Sequence, residues 1–217
     1  MSEGNPYYPA PDPDDAASGS RRRDDGSKSE QIQHRSVSAR VPEAVARGVF
    51  STGAIIITGQ TEFVIDFALR MGRPYHVVAR IVMPHSVMPR FIAALEENVK
   101  RYEEKFGLPP VMPKPENPRR PSIQEIYDDL KLSDDVLSGA YANNVMIGHS
   151  PAEFSFDFIT NFFPTSAVSR RVFISAPQVI PLLDSLRNTY KQLQAKLNPP
   201  PPPFDDDESQ DDTINPV

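Results

Sequence analysis

The stretch Thr61-Glu62-Phe63-Val64-Ile65-Asp66-Phe67 returns later in the chain as Ala152-Glu153-Phe154-Ser155-Phe156-Asp157-Phe158. The two stretches lie 91 residues apart, and the same offset places Arg80 on Arg171. A repeat of about 90 residues is longer than the roughly 20 to 50 residues of solenoid repeats. The pattern therefore predicts two copies of one small domain.

The composition of the chain argues against several classes of protein. The chain has 217 residues, a formal net charge of −6 and no cysteine. Without cysteine there is no disulfide framework and no thiolate chemistry. Phosphate binding depends on lysine and arginine, so the negative charge disfavours a nucleic-acid partner. No apolar run is long enough for a secretory signal or for the roughly 18 residues of a membrane span, and a cytoplasmic location without membrane attachment is expected.

The distribution of apolar and proline residues divides the chain into five regions. Both ends contain too few large apolar side chains to offset the entropy lost on ordering, and they are predicted to be disordered. The regions are a tail (1–36), a first copy (37–107), a proline-rich linker with a short helix (108–131), a second copy (132–198) and a polyproline and acidic tail (199–217).

Alternation of apolar and polar residues predicts three strands in each copy. In the stretch that begins at Glu62, the aromatic side chains occupy one face of a strand and the polar residues occupy the other, which is expected to be mostly solvated. The predicted strands are Val49–Thr58, the stretch from Glu62 to Leu69, and Tyr75–Met83, followed in the second copy by Gly139–Ile147, Glu153–Asn161 and Val168–Ile174.

A long amphipathic helix is predicted after the third strand of each copy. Ser86 is a candidate N-cap, and Gly107 is expected to end the first helix. Apolar residues recur every three or four positions, which predicts that the helices pack on a sheet and against each other. These residues are Met88, Ile92, Leu95, Val99, Tyr102 and Phe106 in the first copy and Val179, Leu183, Leu186, Tyr190, Leu193 and Leu197 in the second.

The linker contains a sequence pattern of its own. Ser122 and Glu125 form a capping box at the start of a short amphipathic helix that is expected to dock on the domain. Each copy has only about 65 residues, and a unit that small buries too little surface to be stable alone, so the copies are expected to share a core.

Together these patterns predict an α+β fold. It is a tandem duplication of a strand-strand-strand-helix unit, with an antiparallel sheet, two long helices on one side and a pseudo-twofold relation between the copies.

Three segments carry a resemblance to a known family: Gly148–Phe158, Val78–Met83 and Ala94–Gly107. They resemble the prokaryotic domain-of-unknown-function family thirty-four sixty-seven. The first copy departs from its pattern at Thr58–Thr61, and the second departs at Leu186–Tyr190. The resemblance implies the fold and the tandem arrangement but no activity or substrate. Strands followed by a long helix, in pairs, also resemble the export chaperone SecB at the level of fold alone.

The repeated charged residues form the candidate site. Three occur in the first copy and are repeated in the second: Glu62, Asp66, Arg80, Glu153, Asp157 and Arg171. A cross-strand ladder of carboxylates and arginines is the common use of such residues. A partner-binding surface and acid–base catalysis are the alternatives.

The remaining motifs predict no catalytic, metal or cofactor site. His76, His85 and His149 do not recur in the other copy, and no close histidine or cysteine pair offers a metal site. His149 and Ser150 are adjacent on a predicted turn, which prevents them from acting as base and nucleophile. The segment from Gly53 to Thr61 lacks the lysine of a phosphate loop and leads into a strand.

The sequence therefore favours a non-enzymatic protein-interaction or scaffold module, with a protein partner or self-association. The most specific form of this hypothesis is chaperone-like binding of extended polypeptide, because a strand edge can accept an added strand. One alternative is a nucleic-acid-associated protein that uses Arg21–Arg23 and Arg119-Arg120. The other alternative is a small-molecule binder in the cleft between the copies.

Overall fold

A computed structural model describes residues 39–112, 122–162 and 164–198, which all belong to one compact unit. The predicted tails, the two arginine clusters and most of the linker prolines lie outside the described residues. Within the described part of the chain, no helix is long and apolar enough to cross a membrane.

The described elements confirm the α+β class. The first copy contains α1 (Glu43–Ala46), β1 (Val49–Ser51), β2 (Gly53–Thr58), β3 (Glu62–Leu69), β4 (Tyr75–Pro84) and α2 (Met88–Phe106). The linker contains α3 (Ile123–Asp128) and β5 (Leu130–Lys131). The second copy contains α4 (Asp134–Leu137), β6 (Ala140–Tyr141), β7 (Asn144–His149), β8 (Glu153–Thr160), β9 (Ala167–Ser175) and α5 (Val179–Leu197).

The strands form two sheets rather than one. In sheet 1 the order is β2-β3-β4-β5, and β6 also pairs with β4. In sheet 2 the order is β1-β9-β8-β7. The expected antiparallel arrangement holds for β2-β3-β4 and for β7-β8-β9. The strands β1, β5 and β6 pair in parallel. Of these, β1 and β6 each come from the other copy, and β5 comes from the linker.

The strands β1 and β6 are exchanged between the copies in a reciprocal way. Val49 lies opposite Val172, and Ala140 lies opposite Ile81. The offset of 91 residues converts the first pair into the second. Each copy therefore completes the sheet of the other, and the regions assigned from sequence are continuous in the chain but interleaved in space.

The exchange corrects two strand predictions. Val49–Thr58 and Gly139–Ile147 were each expected to form one strand, but each is divided between the two sheets. In the first copy the chain crosses beside Ser51, which is fully buried. The Ser51 hydroxyl lies 2.7 Å from the carbonyl oxygen of Gly53 and 3.0 Å from that of Ala68. This hydroxyl satisfies backbone acceptors where the ladder is interrupted.

The two copies share one hydrophobic core, as their small size predicts. The rings of Phe67 in β3 and Phe158 in β8 lie 5.6 Å apart, and Phe91 in α2 lies 5.8 Å from Phe158 in an edge-to-face arrangement. Helix α2 therefore packs on the sheet that contains the central strands of the other copy. Phe91 was not part of the predicted apolar stripe, yet it is fully buried.

The helices follow most of the predicted pattern. Leu95 and Leu186 are fully buried, and Gly107 ends α2 with a φ of 82°. The prediction is wrong at Leu197, which is exposed at the end of α5. It is also wrong at Ser86, because a 3₁₀ turn precedes α2 and no side chain caps the helix.

The two long helices contact each other through equivalent residues. Arg187 Nε of α5 donates to Glu96 Oε1 of α2 over 2.8 Å, and the two residues are 91 positions apart. Opposite charges therefore occupy the position at which the copies face each other.

Candidate functional site

The first charged pair lies at the centre of sheet 1. Asp66 on β3 is directly opposite Arg80 on β4. Arg80 donates from Nε to Asp66 Oδ1 over 2.8 Å and from Nη2 to Asp66 Oδ2 over 2.7 Å. This is the planar, bidentate geometry that makes an arginine–carboxylate pair strong. The pairing raises the pKa of Arg80 above its ordinary value.

The pair is covered by segments that come from the linker and from the second copy. The Tyr127 hydroxyl in α3 donates to Asp66 Oδ2, and Arg80 Nη1 donates to the carbonyl oxygen of Leu137 over 3.2 Å. Burial, together with the bond to Asp66, raises the pKa of Tyr127 to about 12. Asp66 is fully buried, so the predicted solvated polar face of this strand is wrong at that residue.

The second pair repeats the geometry in sheet 2. Arg171 donates from Nε to Asp157 Oδ1 over 2.6 Å and from Nη2 to Asp157 Oδ2 over 2.7 Å. Its Nη1 donates to the carbonyl oxygen of Ala46 over 3.2 Å, which is the equivalent of the bond to Leu137. The bond to Asp157 raises the pKa of Arg171. This pair is more open, since the side chain of Arg171 is 26% exposed and that of Asp157 is 18% exposed.

Two glycines allow the exchanged segments to lie against the arginines. Gly48 and Gly139 have φ values of 64° and 74°, which favour glycine. A Cβ at Gly139 would lie 3.0 Å from Arg80 Cγ, and one at Gly48 would lie 2.8 Å from Arg171 Cγ. Each arginine therefore supports the chain crossing from the other copy.

The two glutamates do not join these pairs, which corrects the predicted ladder. Glu62 lies opposite Pro84 rather than Arg80, and Glu153 lies opposite Ser175. The Glu62 carboxylate accepts from the backbone nitrogen of Thr61 over 3.2 Å, and the Glu153 carboxylate accepts from a nearby serine hydroxyl. Both glutamates stabilise the turn before their strand.

The site geometry favours structural ion pairs over acid–base chemistry. Each aspartate is held by a bidentate arginine. The residues that the structure describes contain no group of three or more His, Cys, Asp or Glu side chains that could hold a metal ion.

The histidines of the copies lie in separate places. His85 Nε2 is 3.1 Å from the carbonyl oxygen of Glu62. His149 contacts the rings of Tyr102, Phe106 and Phe154. Burial, with smaller contributions from Lys105 and Arg101, lowers the pKa of His149.

The outer edges of the two sheets are formed by equivalent strands. Sheet 1 ends at β2 and sheet 2 ends at β7, and no further strand pairs with either edge in the described ranges. Their sequences, Gly-Ala-Ile-Ile-Ile-Thr and Asn-Val-Met-Ile-Gly-His, contain no Lys, Arg, Asp, Glu or Pro. On β7 the side chain of Met146 is 56% exposed. These edge strands lack the usual protective charges, and each packs against a long helix, β2 against α5 and β7 against α2.

A cavity of about 380 Å³ lies between the copies. We call it the inter-copy cavity. Its lining includes residues of β2 and β3 from the first copy and residues near the start of α5 from the second. Arg70, directly after β3, is its charged residue.

Two of these residues, Tyr127 and Arg70, are absent from the site predicted from sequence. Tyr127 was recognised only as part of an amphipathic helix, because its contact with Asp66 spans 61 positions. Arg70 could have been noticed in a comparison of the copies, since Asn161 occupies the equivalent position.

Comparison with known proteins identifies the family but no activity. No curated protein matches the chain. The family model described as "Protein of unknown function (DUF3467)" matches residues 22–110 and, separately, residues 111–198. The two matches cover most of the chain and agree with the duplication. The chain therefore belongs to the DUF3467 family and contains two tandem copies of its domain.

Proposed function

We propose that this protein is a non-enzymatic interaction module that binds extended polypeptide segments by adding a strand to an open sheet edge. The observation that carries the proposal is the unprotected edge strand β7. It presents six residues without charge or proline, and the described part of the chain places no strand beside it.

Such an edge is uncommon in a protein that has no use for it. An edge strand presents unpaired N–H and C=O groups that can pair with another chain. Proteins usually protect these groups with lysine, proline, a bulge or a covering segment. Peptide recognition by strand addition uses the same groups for affinity and uses neighbouring side chains for specificity.

Of the two edges, β7 is the better candidate. Met146 on β7 lies opposite Asp157 and is largely exposed, whereas the corresponding residue of β2, Ile55, is buried. A flexible methionine can pack against many different side chains. An incoming strand on β7 would therefore gain both backbone hydrogen bonds and an adaptable apolar contact.

The charged pairs support a binding role rather than catalysis. Their aspartates are already occupied by arginine, so they hold the sheets and exchanged segments in place while the edges remain available. The net charge of −6 favours a protein partner over nucleic acid. We propose a cytoplasmic location, which a sequence without cysteine supports.

A direct test measures binding of a permanently unfolded protein, reduced and carboxymethylated and carrying a fluorescent label, by fluorescence anisotropy. We expect Met146→Lys to weaken binding about tenfold or more, because a lysine at an edge opposes strand addition. Met71→Lys is the matched control, since Met71 is 77% exposed but lies in the loop between β3 and β4. It should bind as the unsubstituted protein does.

Three outcomes would contradict the proposal. Equal weakening by both substitutions would show a general effect of charge. No binding of the unfolded protein, together with binding of a labelled single-stranded oligonucleotide, would favour the nucleic-acid alternative. A concentration-dependent dimer that Met146→Lys dissociates would instead assign the edge to self-association.

A further inference from the structure

We infer that the inter-copy cavity is a binding site for a small amphiphilic anion, a molecule with one carboxylate or phosphate group and a hydrocarbon body. This inference is independent of strand addition, because the site lies between β2, β3 and α5 rather than at β7. Its volume of about 380 Å³ falls within the range of roughly 300 to 1,000 Å³ typical of small-molecule sites.

The apolar part of the cavity is contributed by both copies. Phe67 belongs to β3 of the first copy, whereas Ile174 of β9 and Leu182 of α5 belong to the second. All three residues are buried in the shared core. A hydrocarbon body placed against them would be removed from water on a largely preformed surface.

The charged group of the cavity is the guanidinium of Arg70, and Thr52, Gln178 and Ser185 are the uncharged polar residues of the lining. The backbone nitrogen of Arg70 donates to Thr52 Oγ1 over 2.8 Å, which fixes the base of the side chain. A Cβ at Gly53 would lie 3.9 Å from Arg70 Cζ, so the guanidinium extends along the open backbone of Gly53. No described acidic residue forms an ion pair with Arg70. The planar guanidinium group of Arg70, with its forked N–H donors, matches the geometry of a carboxylate or a phosphate.

The cavity lies in one half of the molecule, and the other half consists of the residues related to it by the offset of 91 positions. Equivalent positions in that other half carry different residues. Phe91 stands where this half has Leu182, and its ring fills the space beside Phe156 and Phe158. Asn161 stands where this half has Arg70.

The residues equivalent to Arg70 and Thr52 repeat the bond between them and add a second hydrogen bond. The backbone nitrogen of Asn161 donates to Asn143 Oδ1 over 2.7 Å, and Asn143 Nδ2 donates to the carbonyl oxygen of Asn161 over 3.1 Å. Asn144 and Val145 replace the smaller Gly53 and Ala54. The cavity thus has smaller side chains at Gly53, Ala54 and Leu182 than the equivalent positions have, and a cation, Arg70, in its lining.

This divergence supplies two substitutions that the fold already accepts at equivalent positions. Leu182→Phe fills the apolar part of the cavity, and Arg70→Asn removes its charge. The probes are octanoate, octyl phosphate and uncharged octanamide, each below its micelle concentration. Binding is measured by isothermal titration calorimetry and by chemical shifts of the full-length protein, with melting temperatures as a check of folding.

We expect octanoate or octyl phosphate to bind the unsubstituted protein more tightly than octanamide does, and the stronger of the two identifies the head group. Leu182→Phe should weaken binding of all three probes about tenfold or more. Arg70→Asn should weaken the anions about tenfold and leave octanamide nearly unchanged, because a charge-assisted hydrogen bond is lost only for the anions.

The inference is overturned if none of the probes binds at a concentration of about 10 mM, which exceeds the roughly 1 mM dissociation constant of a weak complex. It is also overturned if a folded Leu182→Phe protein binds the anions as tightly as the unsubstituted one. Equal losses for octanoate and octanamide in Arg70→Asn would reject the anion part of the assignment.

Discussion

The pair Asp66–Arg80 and the pair Asp157–Arg171 have the same bidentate geometry in different surroundings. Asp66 is fully buried and also accepts a hydrogen bond from Tyr127, whereas the side chain of Asp157 is 18% exposed. Each aspartate lies in the repeated stretch, in which the glutamate, the aspartate and two phenylalanines are identical. Within the described residues, the distant segment α3 covers the first pair and no equivalent helix covers the second.

This difference in burial determines how much each pair contributes to the stability of the folded protein. A buried ion pair is tolerated only when further hydrogen bonds satisfy its charges, and removal of one partner leaves an uncompensated charge. Asp66 receives donors from Arg80 and from Tyr127. A partly exposed pair keeps access to water, which screens its charges. We therefore expect the two pairs to respond unequally to the same substitution.

The largest effect is expected for Arg80→Ala, which leaves Asp66 buried and unpaired by arginine. We expect a loss of about 3 to 5 kcal/mol in the free energy of unfolding, against about 1 kcal/mol for Arg171→Ala. Urea denaturation of both variants measures the difference. Similar losses would show that burial of the first pair does not matter, and the comparison between the copies would fail.

The next effect concerns the glycines beside the arginines. Gly48→Ala combines a positive φ of 64° with a Cβ only 2.5 Å from Phe173 Cε2, and we expect a cost of about 2 kcal/mol or more. Gly139→Ala should cost somewhat less, since the added Cβ would lie 2.9 Å from its nearest neighbour, Val82 Cγ2. Gly72→Ala is the control, because nothing lies within 4 Å of its Cβ. Melting temperatures in the reverse order would contradict the described crossing.

Removal of the tyrosine hydroxyl tests the cover on the first pair. Tyr127→Phe deletes one hydrogen bond to Asp66, and we expect a loss of about 1 kcal/mol near neutral pH. The matched change Tyr141→Phe, at an exposed position, should cost little.

The same tyrosine predicts a pH dependence at high pH. Its pKa is about 12 in the folded protein, above the ordinary value of 10. Above pH 10 the unfolded state therefore loses this proton first, and stability should fall as the pH rises from about 10 to about 12. Denaturation at several pH values should show a smaller decline in Tyr127→Phe. An identical decline in both proteins would refute the assignment.

The smallest effect is expected at the helix pair Glu96 and Arg187, whose side chains are 42% and 49% exposed. Arg187→Ala should cost at most about 0.5 kcal/mol, and the cost should shrink at high salt. Arg187→Glu should cost more because it places like charges together, and adding Glu96→Arg should restore the loss. A double-mutant cycle without coupling would contradict the contact.

The elements of the fold that can be predicted from the sequence are those with a local periodicity of apolar residues. The alternation after Glu62 predicted β3 and its counterpart β8, the apolar stripes predicted α2 and α5, and the capping box at Ser122 is present at the start of α3. Each of these patterns depends on residues that are near in sequence. Such patterns are reliable because each element buries one face.

The remainder depends on contacts between distant residues. Nothing local in Val49–Thr58 shows that its first half joins one sheet and its second half joins the other. The burial of Asp66 depends on Tyr127, and the inter-copy cavity depends on side chains from both copies. Alternation gave the correct face for the phenylalanines but could not show what would cover the opposite face.

The contact between Glu96 and Arg187 has a consequence for how such a protein can evolve. In an assembly of two identical chains, a residue that faces its own copy meets its own charge. Joining the copies in one chain removes that restriction, because each half can mutate separately. It also fixes the ratio of the halves at one to one, and it keeps them together at any protein concentration. The fused chain thus has the complementarity of a heterodimer while requiring only one gene product.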